Sequence, residues 1–175
     1  MSADARAPPP AIHRLVSGHN ENGVSVIRTE DIVSPTPSES WPGVISATLW
    51  NTNATPTDDN NDDMDGSNRR PNGDLGIVMK NGTSMRYTDL APGATASLHR
   101  TSSLDYNILI SGKLVLILDN GVERLFETPG DLIIQRGTIH AWRNPGPEWT
   151  RWATVLIDAR PAVVGGKALE AEVRT

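Results

Sequence analysis

From residue 75 onward, short apolar or alternating runs follow one another, separated by turn-forming residues. Residues 75–79, 85–90, 94–99, 106–110, 113–118, 122–126, 131–134 and 152–157 each have strand character, bounded by Gly, Pro or Asn. Asp119-Asn120-Gly121 lies between LVLIL and VERLF and predicts a tight hairpin, because Asn and Gly accept the positive φ of short turns. Many short strands with no long helical period predict an all-β sandwich or barrel.

Upstream the pattern is weaker. Residues 24–27 alternate and residues 44–50 (VISATLW) are β-branched and aromatic, with Pro35, Pro37 and Pro42 as punctuation, which predicts outer strands or an arm against the barrel. Residues 1–10 end in a Pro triplet and are expected to form a frayed arm. Residues 51–74 are almost devoid of apolar side chains and predict an exposed loop. Its acidic run, Asp58, Asp59, Asp62, Asp63 and Asp65, lacks the Gly spacing and closing Glu of a calcium loop, so a solvated surface is expected. Residues 167–173 (KALEAEV) are good helix formers and predict a short C-terminal helix or tail.

A chain of 175 residues accommodates one core more readily than two. The expected division is residues 1–74 as arm, outer strands and acidic loop, 75–160 as barrel core and 161–175 as tail, all within one domain.

With 16 Lys and Arg against 21 Asp and Glu, the net charge of -5 offers no attraction to nucleic acid or anionic lipid. No run approaches the roughly 20 apolar residues of a membrane span, and the first residues lack the apolar centre of a secretion signal. A soluble, cytoplasmic protein acting on a small molecule is the expectation. The chain has no cysteine, which excludes disulfides, thiolate nucleophiles and Cys-ligated metals and leaves His, carboxylate and hydroxyl groups to do chemistry.

Two segments narrow this further. From Gly93 to Gly112 the chain reads G-ATASL-H-R-T-SSL-D-YNILIS-G, which resembles the first motif of the cupin superfamily, G-x5-H-x-H-x3-4-E-x6-G. Thr101 replaces its second His and Asp105 its Glu. From Gly130 to Asn144, G-DLII-Q-R-G-TI-H-AWR-N resembles the second motif, G-x5-P-x-G-x2-H-x3-N, with Gln135 in the Pro position one residue early. The segments HRTSSLDY and QRGTIHAWRN are similar to small single-domain cupins of fungi and bacteria. The resemblance implies a single cupin jelly-roll β-barrel of the RmlC-like type, with N-terminal strands outside it.

It also implies a site. In a strand His99 and Thr101 share one face and Arg100 the other; the resemblance makes the first face the barrel interior, where Asp105 and His140 would join them. Two imidazoles and one carboxylate have the composition of a site for a divalent metal such as Fe, Mn or Zn. Asp is shorter than Glu and Thr is a weaker ligand than His, so a metal-free reading stands beside it: His99, Asp105 and His140 as a proton-transfer set. A third reading makes the three a hydrogen-bonded polar core in a non-catalytic binder.

For substrate binding, Arg86, Thr101, Asn107 and Trp142 are the candidates. Trp142 and Asn144 share the parity of His140, so the indole would form a pocket wall. Arg86 would bind a substrate carboxylate if it points inward, although an Arg more often faces the surface. His13 and His19 are expected at the surface, and Arg100 and Tyr106 outward. The resulting expectation is a lyase or isomerase, a decarboxylase or dehydratase acting by acid-base chemistry on an oxygenated polyketide-like or aromatic metabolite. The alternatives are a non-haem iron dioxygenase and a non-catalytic binding cupin. A homodimer is expected, with strands between residues 24 and 50 covering sheet edges across a two-fold axis.

Overall fold

Alternating side chains give each strand one apolar face, and the packing of those faces organises residues 7–174, the part described in this computed structural model. In chain order the strands are β1 (Ile12–His19), β2 (Ser25–Val33), β3 (Thr36–Pro37), β4 (Val44–Thr52) and β5 (Thr83–Leu90). Next come β6 (Thr95–Arg100), β7 (Ser103–Ser111), β8 (Leu114–Leu118), β9 (Glu123–Phe126) and β10 (Leu132–Arg136). The last are β11 (His140–Arg143), β12 (Thr150–Asp158), β13 (Ala162–Val164), β14 (Lys167–Leu169) and β15 (Glu172–Arg174).

Two antiparallel sheets face each other, a six-stranded sheet ordered β10-β7-β12-β5-β4-β3 and a five-stranded sheet ordered β15-β6-β11-β8-β9. This is the jelly-roll arrangement of a cupin barrel, and the chain is all-β. Between the sheets lies the main core, with Val44, Leu90, Leu109 and Trp152 from one wall and Ala96, Leu114, Leu116 and Trp142 from the other. Burial of each such aliphatic side chain contributes roughly 1.5–3 kcal/mol. On β7 the alternation is complete: Ser103, Asp105, Asn107 and Leu109 are buried while Tyr106 and Ile108 are exposed.

The β1–β2 hairpin lies on the outer face of the larger sheet, where Ile12 packs with Ala47, Leu49, Met85 and Tyr87. Its entry is held by Arg151, which donates to the Pro10 carbonyl at 2.8 Å while forming a buried two-point ion pair with Asp89 at 2.6 and 2.7 Å. Only part of the expected arm can be judged, because residues 1–6 lie outside the described residues. Strands β3 and β4 pair within this chain, continuing the sheet from β5. Among the described residues no helix is long and apolar enough to cross a membrane.

Several local expectations are corrected. Residues 75–79 do not form a strand: Asp74–Gly76 make a single 3-10 turn in which Leu75 has φ 53, a conformation outside the extended region. Residues 167–173 are not helical. Gly165 and Gly166, both at positive φ, close a two-residue hairpin between β13 and β14, and β15 then pairs with the free edge of β6. An open edge of backbone donors and acceptors thus outweighs helix propensity in so short a segment.

The acidic loop is more tied down than its composition suggests. Asp58, Asp62 and Asp63 are exposed, but Asp59 and Asp65 are half-buried in ion pairs. Arg14 bridges Asp31 and Asp65, and Arg69 joins Asp59, Asp62 and the Asn51 carbonyl. Charge pairing here substitutes for the apolar burial the segment lacks. The Arg14 guanidinium holds the Asp65 carboxyl down at about 2.

The Asp119-Asn120-Gly121 hairpin forms as the pattern predicts, with Leu118 and Val122 paired through Leu118 N to Val122 O at 2.9 Å. Gly112 ends the first motif for a steric reason. Its φ is +79, and a Cβ there would lie 2.5 Å from the Trp149 carbonyl oxygen.

Candidate active site

A cavity of about 410 Å³ opens between the two sheets. Its two walls carry different chemistry. The five-stranded wall brings His99 and His140 together, because β6 and β11 pair with these two residues directly opposite each other. Both are buried, 6% and 3% exposed, and their ring centroids lie 4.4 Å apart at 51°.

Backbone carbonyls orient both rings. His99 Nδ1 lies 2.8 Å from the Ser97 carbonyl and His140 Nδ1 lies 2.9 Å from the Thr138 carbonyl. A carbonyl only accepts, so in each ring Nδ1 carries the proton and Nε2 keeps its lone pair. Burial lowers the pKa of both imidazoles, and for His140 burial and the neighbouring His99 bring it down to about 3. Both rings are therefore neutral at pH 7. The two rings are thus oriented by backbone carbonyls and not by Asp105.

Asp105 stands on the opposite wall, in β7, 5% exposed, with Oδ1 buried and unpartnered. Burial pushes its carboxyl up to about 6, against a smaller opposing effect of a hydrogen bond from Ser103. Among the described residues no three His, Cys, Asp or Glu side chains are grouped closely enough to hold one ion. The Nε2 lone pairs of His99 and His140 are suitable metal donors, but Asp105 does not complete a two-His-one-carboxylate centre with them. The residues present therefore do not fit that centre.

The remaining candidates line the same cavity. Trp142 sets its edge against His140 at 5.4 Å and 74°, and leads on to Trp152 at 5.8 Å. Thr101 is buried and shares a hydrogen bond with Ser103 at 2.8 Å. Asn107 is buried and accepts from Thr154 Oγ1 at 2.8 Å. Arg86, for which the surface was the more common expectation, points inward and donates to Ser46 Oγ at 2.7 Å. Its β5 parity places it with Thr88 on the inner face, opposite Met85 and Tyr87.

Other expected positions divide. Tyr106 faces outward and is partly exposed, and His13 and His19 are exposed. Arg100 leaves the interior face as parity requires but is buried there, because the C-terminal segment covers it with the Glu170 carbonyl and the Glu172 carboxylate. Asn144 is buried away from the cavity lining, donating to the Leu90 and Glu148 carbonyls.

Several lining residues escaped the sequence pattern. Trp41 lies on His99, with ring centroids 5.1 Å apart at 35°. Its signal was a lone indole before Pro-Gly in a polar stretch. Leu75, Ile77 and Val173 form an apolar part of the lining, Val173 because β15 places it opposite His99. Nothing local in the sequence announced that last neighbour, since it depends on a strand pairing across more than seventy residues.

No protein-family model matches the chain. It is 36% identical over 166 residues to the cupin-domain-containing oxidoreductase fogC of Aspergillus ruber, covering 93% of this chain and 80% of that protein. It is 32% identical over 160 residues to the phomopsin biosynthesis cluster protein D of Diaporthe leptostromiformis, covering 90% and 84%. Among solved structures, the polyketide cyclase RemF from Streptomyces resistomycificus superposes with a TM-score of 0.50 at 16% identity, over 74% of this chain and 76% of that one, a likeness of fold. Similarity over most of the length of these curated relatives, together with the two-sheet barrel and the paired motif histidines, makes this chain a member of the cupin-domain family.

Proposed function

We propose that the chain is an enzyme of specialised-metabolite biosynthesis that transfers protons on a small oxygenated substrate, in a dehydration, decarboxylation or isomerisation. The observation that carries this reading is the fixed tautomer of both histidines: two neutral imidazoles whose Nδ1 atoms are committed to carbonyls, leaving two Nε2 lone pairs at one cavity wall. The opposite wall holds a carboxyl whose pKa is raised to about 6. Environments that separate a base from an acid in this way are what paired proton transfer requires.

In a dehydration, Nε2 of His99 or His140 accepts the proton from the substrate carbon. Protonated Asp105 donates to the departing hydroxyl, which leaves as water. The imidazolium and carboxylate so formed then return to their starting states by exchange with solvent. Trp142 and Trp41 flank the histidines and offer flat apolar surfaces to the substrate. The relatives named for biosynthesis clusters support a place in specialised metabolism.

A second reading, oxidation or reduction, is favoured by the names of the cupin-domain-containing oxidoreductases fogC and, from Hypocrea virens, virC. The two are separated by following oxygenated β-hydroxy and β-keto acids by proton NMR in D2O, with metal analysis of protein purified without chelator. Deuterium incorporation or water loss without an electron acceptor supports proton transfer. Oxygen consumption, or turnover only with an added electron acceptor and stoichiometric metal, sinks it in favour of redox chemistry.

A further inference from the structure

Among the described residues, the wall facing the histidines carries a cation with no counter-ion. Arg86 forms no salt bridge with any described carboxylate, and its one hydrogen-bond partner is the neutral hydroxyl of Ser46. Burial lowers its pKa, and no neighbouring acid opposes that effect. Elsewhere in this protein the buried arginines Arg69 and Arg151 each have a carboxylate. Arg86 is half-buried at the cavity wall, and a partly desolvated guanidinium without a carboxylate is costly unless something else supplies the negative charge.

The same row of the sheet holds a second unmet donor. Arg86, Thr154 and Asn107 are direct neighbours across β5, β12 and β7. The Thr154 hydroxyl donates to Asn107 Oδ1, which fixes the amide and leaves its Nδ2, 3% exposed as a residue, buried without an acceptor. Native proteins seldom leave such donors unsatisfied. Both residues line the cavity.

Among the described residues Asp105 is the only carboxylate lining the cavity, and it sits one row along β7, level with Leu156 and Ser84. Burial raises its carboxyl pKa against a smaller opposing hydrogen bond from Ser103, and among the described residues it forms no ion pair with Arg86.

We infer that Arg86 and Asn107 form an anion subsite that anchors a carboxylate of the substrate on the wall opposite His99 and His140. This deepens the proposed function and rests on it only in taking the cavity as the substrate site. The guanidinium supplies a planar pair of donors suited to a carboxylate, and the Asn107 amide a further donor. An acid held there presents the rest of its skeleton to the histidines and indoles across the cavity. The substrate class is thereby narrowed to small organic acids, aromatic or otherwise flat.

The test uses benzoate and its uncharged counterpart benzamide, titrated against the full chain and followed by calorimetry and by the fluorescence of the cavity tryptophans. Benzoate should bind at least about tenfold more tightly than benzamide, as expected when a charged hydrogen bond is gained. Arg86→Met should abolish that preference, Arg86→Lys should retain part of it, and Asn107→Ala should weaken benzoate severalfold. Removing an unpaired, partly desolvated charge should also raise the melting temperature of Arg86→Met. Equal binding of the two probes to the unaltered protein, an undiminished preference in Arg86→Met, or a lowered melting temperature in that variant would each overturn the subsite. His140→Asn should keep the benzoate preference. If it does while turnover is also unaffected, the proton-transfer reading fails and the anion subsite stands.

Discussion

His99 and His140 are direct partners across β6 and β11, and their rings meet 4.4 Å apart with each Nδ1 bound to a backbone carbonyl two residues earlier in its own chain segment. Because strand pairing and carbonyls hold the rings, removing an imidazole should leave the barrel intact. His140→Asn and His99→Asn are each expected to lower turnover by about a hundredfold or more, within the range general acid-base catalysis supplies, with unchanged circular dichroism. Full activity in both variants would remove these residues from the chemistry.

Asp105 links stability to pH in a direction opposite to a salt-bridged carboxylate. Its folded-state pKa of about 6 lies above the ordinary 3.8, so the folded protein holds the proton more firmly. The resulting stability is present below about pH 3.8 and lost as pH rises through 6. Asp105→Asn should therefore be more stable than the unaltered protein at pH 7.5, by an amount on the order of 2 kcal/mol, and should lose that advantage at pH 4. Thermal unfolding at the two pH values measures it; an advantage that grows on acidification contradicts the assignment.

The same carboxyl governs the expected rate profile. A mechanism that needs neutral imidazole and protonated Asp105 should slow as pH rises above about 6. A rate that climbs steadily from pH 6 to pH 8 would remove Asp105 as the acid.

The histidines act oppositely on stability. His140 is lowered from 6.5 to about 3 in the folded state, so unfolded chains take up its proton first as pH falls. Stability from this group is present above 6.5 and lost between there and about 3. Trp41 contributes to the burial that lowers His99, and Trp41→Ala should raise the His99 pKa toward its ordinary value. Titration of the imidazole proton resonances by NMR reads this shift directly, and an unmoved His99 would show that Trp41 does not shield it.

The Asp89–Arg151 pair is fully enclosed, with Asp89 at 0% exposure, and Arg151 also holds the Pro10 carbonyl. Asp89→Asn leaves a buried guanidinium without its charge partner. A loss of about 3–5 kcal/mol in denaturant unfolding is expected. A change below about 1 kcal/mol would mean that water reaches the pair and screens it.

The sequence by itself determined the strand content, the Asp119-Asn120-Gly121 turn and the shared face of His99 and Thr101, since alternation and turn chemistry act between near neighbours and survive in a one-dimensional pattern, while the cupin resemblance pointed that face, with His140, to the interior. The motif spacing also located the site on two separate strands. Only the tertiary structure decided what those residues meet. It turned Arg86 inward without a carboxylate, set Asp105 on the wall away from the histidines, laid Trp41 on His99, and drew the C-terminal residues 172–174 into a strand beside β6. Each of these depends on pairings between distant segments and on how much water the closed barrel excludes, and neither quantity is carried by any local stretch of sequence.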